Sequence, residues 1–118
     1  MDKFLISGGK QLCGEIKVEG SKNAVLPILA ATVINGCENV IKNCPNLSDV
    51  DAMLDILKAI GCKVKKEGKD IIVNSRDIHT TVIPKELSKK LRASIIFTGS
   101  MLARFGEVTI TQPGGCVM

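Results

Sequence analysis

The sequence predicts a mixed α/β domain, on three observations. Short runs alternate apolar with polar residues, longer segments repeat apolar residues at three- and four-residue steps, and the two kinds interleave along the chain. At 118 residues there is room for one modest domain, able to bury somewhat over ~60% of its unfolded surface. Apolar residues make up 45% and charged residues 24%, the balance of a soluble globular protein rather than a disordered or fibrous one.

Phe4 to Ser7 and Leu12 to Val18 are expected as strands separated by Gly8-Gly9, the second setting Ile16 and Val18 against Glu15 and Lys17. Ser21 is placed to cap a helix through Val25, Leu26, Ile28, Leu29, Ala30, Val33 and Ile34 that stops at Asn35-Gly36. Being apolar on nearly every side, this helix is expected inside the protein. Asn39 to Lys42 forms a short strand and Pro45 ends it. Ser48, three residues ahead of Asp51, resembles a capping box with Asp in place of Glu. The helix from Leu47 or Ser48 runs to Ile60 with Val50, Met53, Leu54, Leu57 and Ile60 on one stripe, and Gly61 terminates it. Strands Lys63 to Lys66 and Asp70 to Asn74 are joined through Glu67-Gly68-Lys69, a tight hairpin signal. Pro84 suits the first turn of a helix reaching about Arg104, with Leu87, Leu91, Ile95, Thr98 and Leu102 in step and Gly106 at its end. Val108 to Thr111 is expected as the last strand.

Several function classes are disfavoured. The net charge of +4 is mild, and three Phe with no Tyr or Trp leave little for nucleic-acid bases to stack on. The apolar stretch Ala24 to Ile34 has about half of the ~20 residues of a membrane span and contains Pro27. Five cysteines without a C-x-x-C pair, and no N-terminal signal pattern, predict a reducing, cytoplasmic setting rather than a disulfide framework. With His79 alone to join unpaired thiols, a structural zinc site is not expected.

Three residues stand out chemically. Lys22 lies at a helix start, where the macrodipole disfavours a cation by ~0.3–1 kcal/mol. An anion bound there, reached also by first-turn N–H groups and Asn23, would reverse that sign; a solvated surface lysine that tolerates the penalty is the other reading. Arg92 shares a helical face with Ile96, Gly99 and Ala103 rather than with Lys85 and Lys89. It either forks onto a bound anion or lays its stem on the surface with its head in water. Cys116 follows Pro113-Gly114-Gly115, in a loop that exposes a thiol, whereas Cys13, Cys37, Cys44 and Cys62 lie in or beside strand-like segments as small hydrophobes. Cations near Cys116 would lower its pKa and suit it to proton transfer; a cysteine incidental to the turn is the other reading.

In order along the chain, Gly20-Ser21-Lys22-Asn23-Ala24-Val25-Leu26-Pro27-Ile28-Leu29, Leu91-Arg92-Ala93-Ser94, Ala103-Arg104-Phe105-Gly106 and Pro113-Gly114-Gly115-Cys116 resemble the enolpyruvyl transferase family, in the branch that acts on UDP-N-acetylglucosamine. The resemblance covers the whole chain. It implies transfer of the enolpyruvyl group of phosphoenolpyruvate to the 3′-hydroxyl of UDP-N-acetylglucosamine with release of phosphate, in cell-wall precursor synthesis, without metal or organic cofactor. Carried over by motif, Lys22 holds phosphoenolpyruvate, Asn23 contacts substrate beside it, Arg92 contacts the sugar nucleotide, and Cys116 is the acid that protonates the enol carbon and the residue that fosfomycin alkylates in susceptible members. Some members carry aspartate at the cysteine position.

The family fold so implied is an inside-out α/β barrel of β-α-β-α-β-β units in two domains. Ser21 to Ser75 fits one unit and Pro84 to Thr111 the start of a second. Residues 1–20 would supply strands to the other domain, and residues 21–118 an incomplete domain ending in the catalytic loop. An N-terminal fragment inactive alone, prone to self-association through unpaired edges, is the expectation. Transfer to shikimate 3-phosphate is the nearest alternative, against which the Pro-Gly-Gly-Cys loop speaks. A non-catalytic phosphate- or nucleotide-binding module is another.

Overall fold

A computed structural model describes residues 2–111, the side chains of Arg92 and Ala93 excepted. Helix α1 (Lys22–Asn35) starts where Ser21 accepts the Ala24 N–H on its hydroxyl at 3.3 Å and stops at Gly36. Gly36 has φ 64°, and a side chain there would press on the Arg104 guanidinium, so both conformation and space ask for glycine. Strand β1 (Glu38–Ile41) follows, then helix α2 (Ser48–Ile60), strands β2 (Lys63–Glu67) and β3 (Asp70–Asn74), and helices α3 (Lys85–Lys90) and α4 (Phe97–Phe105).

The three strands form an antiparallel sheet in the order β1-β3-β2. Gly68 and Lys69 make the turn between β2 and β3, with Glu67 paired to Asp70. Burial alternates along β3, where Ile71 and Val73 face the helices, as one covered sheet face requires. Helix α1 packs between α2 and α4. Leu29, Val33, Met53, Leu57, Ile60, Val73, Phe97 and Met101 are fully closed off from solvent, and they form one continuous core.

Several expectations are corrected. Residues 2–20 form no strand, and Phe4, Leu5, Ile6, Leu12, Ile16 and Val18 are 82–100% exposed. A strand has no hydrogen-bond partners of its own, and this segment lies along no sheet edge. Helix α1 is not buried all round, since Ile28 and Ile34 are about half exposed. The capping box at Ser48 does not form: Leu47 is the cap residue, without a side-chain bond, and the Asp51 carboxylate instead takes Lys66 Nζ at 2.6 Å.

The helix expected from Pro84 to Arg104 is broken. Leu91 is extended (φ −141°, ψ 113°), and a 3-10 turn over Arg92–Ile96 joins α3 to α4. The break lets Leu91 and Phe97 both enter the core while Ile95 turns out to solvent; core packing overrides the helical spacing. The helical-wheel placement of Arg92 falls with it. The final strand is reduced to a parallel bridge, Val82 to Thr109, with N–H to O bonds of 2.9 Å on both sides of Thr109.

Candidate functional site

Lys22 and Asn23 are the first two residues of α1, both exposed. Their N–H groups belong to the first turn, outside the intrahelical ladder. Pro27, inside the same helix, has no N–H to give to the Asn23 carbonyl, so a donor and an acceptor gap lie together at this end. A side chain at Gly20 would collide with the Asn43 carbonyl, so only glycine lets the chain pass this close on its way into α1.

The Lys22 ammonium is not alone. Its Nζ lies 3.2 Å from Asp49 Oδ2 in the first turn of α2, so the starts of two helices meet across one ion pair. Asp49 escaped the sequence reading because it is distant in sequence and no local pattern ties it to Lys22; an acidic first turn without a cap bond was the available signal.

A hollow of about 650 Å³ lies beside this pair, lined by Glu19, Gly20, residues 44–47, Val50, Lys66, Lys69 and Ile71 among others. Its two lysines are engaged, Lys66 with Asp51 at 2.6 Å and Lys69 with Glu19 at 3.5 Å. Neither Lys22 nor Asn23 lines it.

Arg104 belongs to the Ala103-Arg104-Phe105-Gly106 motif, for which the sequence suggested no role. Its Nη1 donates to the carbonyls of Val33 at 2.9 Å and Ser75 at 2.6 Å, and its Nη2 to that of Arg76 at 3.4 Å. The guanidinium also lies 4.7 Å from the centre of the Phe105 ring. It ties the end of α1 and the segment after β3 to α4, at the opposite end of α1 from Lys22.

The cysteines divide. Cys44 and Cys62 are buried, whereas Cys13 and Cys37 are exposed and do not serve as core hydrophobes. Burial pushes the Cys62 thiol up to about 11, against the lowering influence of Arg104. Burial likewise raises Cys44, Lys66 opposing. Both stay neutral thiols unsuited to acid–base work near neutral pH. Cys116 lies outside the described residues, as does the side chain of Arg92, whose backbone opens the 3-10 turn. Of the four expected site residues, the described structure thus gives the surroundings of Lys22 and Asn23 and only the backbone of Arg92. Among the described residues no group of three or more His, Cys, Asp or Glu is gathered to hold a metal, and no helix is long and apolar enough to cross a membrane.

The sequence profile of the family described as EPSP synthase (3-phosphoshikimate 1-carboxyvinyltransferase) matches residues 6–118. The chain belongs to that family. Among curated relatives, UDP-N-acetylglucosamine 1-carboxyvinyltransferase 2 of Caldanaerobacter subterraneus subsp. tengcongensis is 51% identical over 116 residues, 98% of this chain and 28% of the relative. UDP-N-acetylglucosamine 1-carboxyvinyltransferase of Methylacidiphilum infernorum is 47% identical over 118 residues, all of this chain and 28% of the relative. The chain thus spans somewhat over a quarter of the length of the curated relatives it matches. The crystal structure of the enolpyruvyl transferase NikO from Streptomyces tendae superposes with a TM-score of 0.72 at 22% identity, over 84% of this chain and 23% of that one. At that identity the likeness bears on fold: the α-β-α-β-β run from α1 to β3, followed by α3 and α4, is part of an enolpyruvyl transferase fold.

Proposed function

We propose that these residues serve transfer of the enolpyruvyl group from phosphoenolpyruvate to the 3′-hydroxyl of UDP-N-acetylglucosamine, with release of phosphate, in a cytoplasmic step of peptidoglycan precursor synthesis. The observation that carries this reading is identity of 47–51% over nearly the whole chain to relatives bearing that enzyme's name. In it Lys22 holds the phosphoenolpyruvate anion at the start of α1, Asn23 contacts substrate beside it, Arg92 contacts the sugar nucleotide, and Cys116 protonates the enol carbon. Two anionic substrates repel one another, and cations fixed in advance offset that repulsion in the transition state as well as on binding.

Residues 2–20, whose large apolar side chains are all exposed, act in this reading as strands laid on the sheet of a second domain. The 118-residue chain alone does not turn over, since it spans 28% of these relatives' length. The family description, which names the shikimate enzyme, favours a second acceptor, shikimate 3-phosphate.

One experiment decides between the acceptors. The 118 residues replace the matching segment of the Caldanaerobacter relative, and phosphate release from phosphoenolpyruvate is followed with each acceptor in turn. Turnover with UDP-N-acetylglucosamine and none with shikimate 3-phosphate is expected; the reverse preference, or none with either, contradicts the proposal.

A further inference from the structure

We propose that Asp49 is the positioning residue of Lys22 and its built-in counter-ion, holding the ammonium at the start of α1 and competing with phosphoenolpyruvate for it. The inference rests on the reading of Lys22 as the group that holds phosphoenolpyruvate and names a residue that governs it.

The geometry carries it. Lys22 is the first residue of α1, where the helix dipole works against a cation, and Asp49 is the second residue of α2, where the dipole favours an anion. The 3.2 Å pair joins the two helix starts. Of the ion pairs among the described residues this one has the least exposed carboxylate, 37% against 53–65% for the others. Asp49 is thus held by the packing of α2 on α1 more firmly than a loose surface acid.

Two consequences follow. A long lysine side chain loses its conformational freedom before substrate arrives, which removes that cost from binding. Asp49 also repels any anion brought to Lys22, so the site grips a phosphate less tightly than a free ammonium would. A half-exposed pair of this kind is weak; a multiply charged substrate displaces or shares it, and a product phosphate is released more readily.

The test uses the 118-residue chain, labelled with ¹⁵N, with phosphoenolpyruvate and inorganic phosphate as separate probes and the Lys22 and Asn23 amide shifts as readout. Asp49→Asn is expected to tighten both probes by about 3- to 10-fold, a Coulomb effect reduced by solvent. Asp49→Glu is expected to stay near the parent. Lys22→Met is expected to lose binding, and Asp49→Asn added to it to restore none.

Tightening in Asp49→Asn cannot come from structural damage. Unchanged or weaker affinity in Asp49→Asn overturns the proposal. So does an equal gain on the Lys22→Met background, or the absence of any probe-dependent shift in both parent and Asp49→Asn. Turnover by the chimera judges the enolpyruvyl transfer reading separately, so the two fail in distinguishable ways.

Discussion

Residues 12–18 and strand β3 have similar sequence patterns and opposite fates. Both alternate or cluster β-branched and aliphatic residues, yet β3 has Ile71 and Val73 in the core, while Ile16 and Val18 remain more than 80% exposed. The difference is hydrogen-bonding company. β3 lies between β1 and β2 with both edges paired, whereas among the described residues no strand pairs with residues 12–18. Alternation states what a segment can do, and a neighbouring edge decides whether it does it. Helix α1 shows the complement: it closes its own backbone bonds and needs only a surface on which to lay Leu29 and Val33.

The comparison implies that stability resides in the body from α1 to α4 and not in the first twenty residues. The largest effect is expected at Arg104, whose guanidinium satisfies three carbonyls from two other segments. Arg104→Ala leaves those acceptors without their donor and should lower unfolding free energy by about 2–4 kcal/mol in urea titration. A loss below about 1 kcal/mol would mean that the body does not depend on this tie. At the other end of the scale, removing residues 2–18 while keeping Glu19 and Gly20 should change stability by no more than about 0.5 kcal/mol, because their side chains bury almost nothing. A loss of 2 kcal/mol would show that the segment is paired in solution and that the contrast drawn here is wrong.

Much of the body was legible. α1, α2, β2 and β3 begin and end within a residue or two of the sequence reading, because caps, left-handed glycines and apolar steps are local and act before tertiary packing. What failed was non-local. The extension at Leu91 answers to the core's demand for Phe97, and the missing box at Ser48 to the pull of Lys66 on Asp51; neither is visible in spacing. The site divides the same way. Lys22 and Asn23 were singled out by an odd cation at a helix start, while Asp49 and Arg104 act through partners 27 and 28 or more residues away in sequence. Cys13 and Cys37 show the limit of composition, since the same residue type is buried at Cys44 and Cys62.

The proposed function requires this chain to supply the acid of an enolpyruvyl transfer. The most direct measurement is phosphate release from phosphoenolpyruvate and UDP-N-acetylglucosamine by the chimera carrying Cys116→Asp or Cys116→Ala. The aspartate variant, still an acid, is predicted to stay within about tenfold of the parent, and the alanine variant to fall by about 100-fold or more. Parent-like release from Cys116→Ala would contradict the claim.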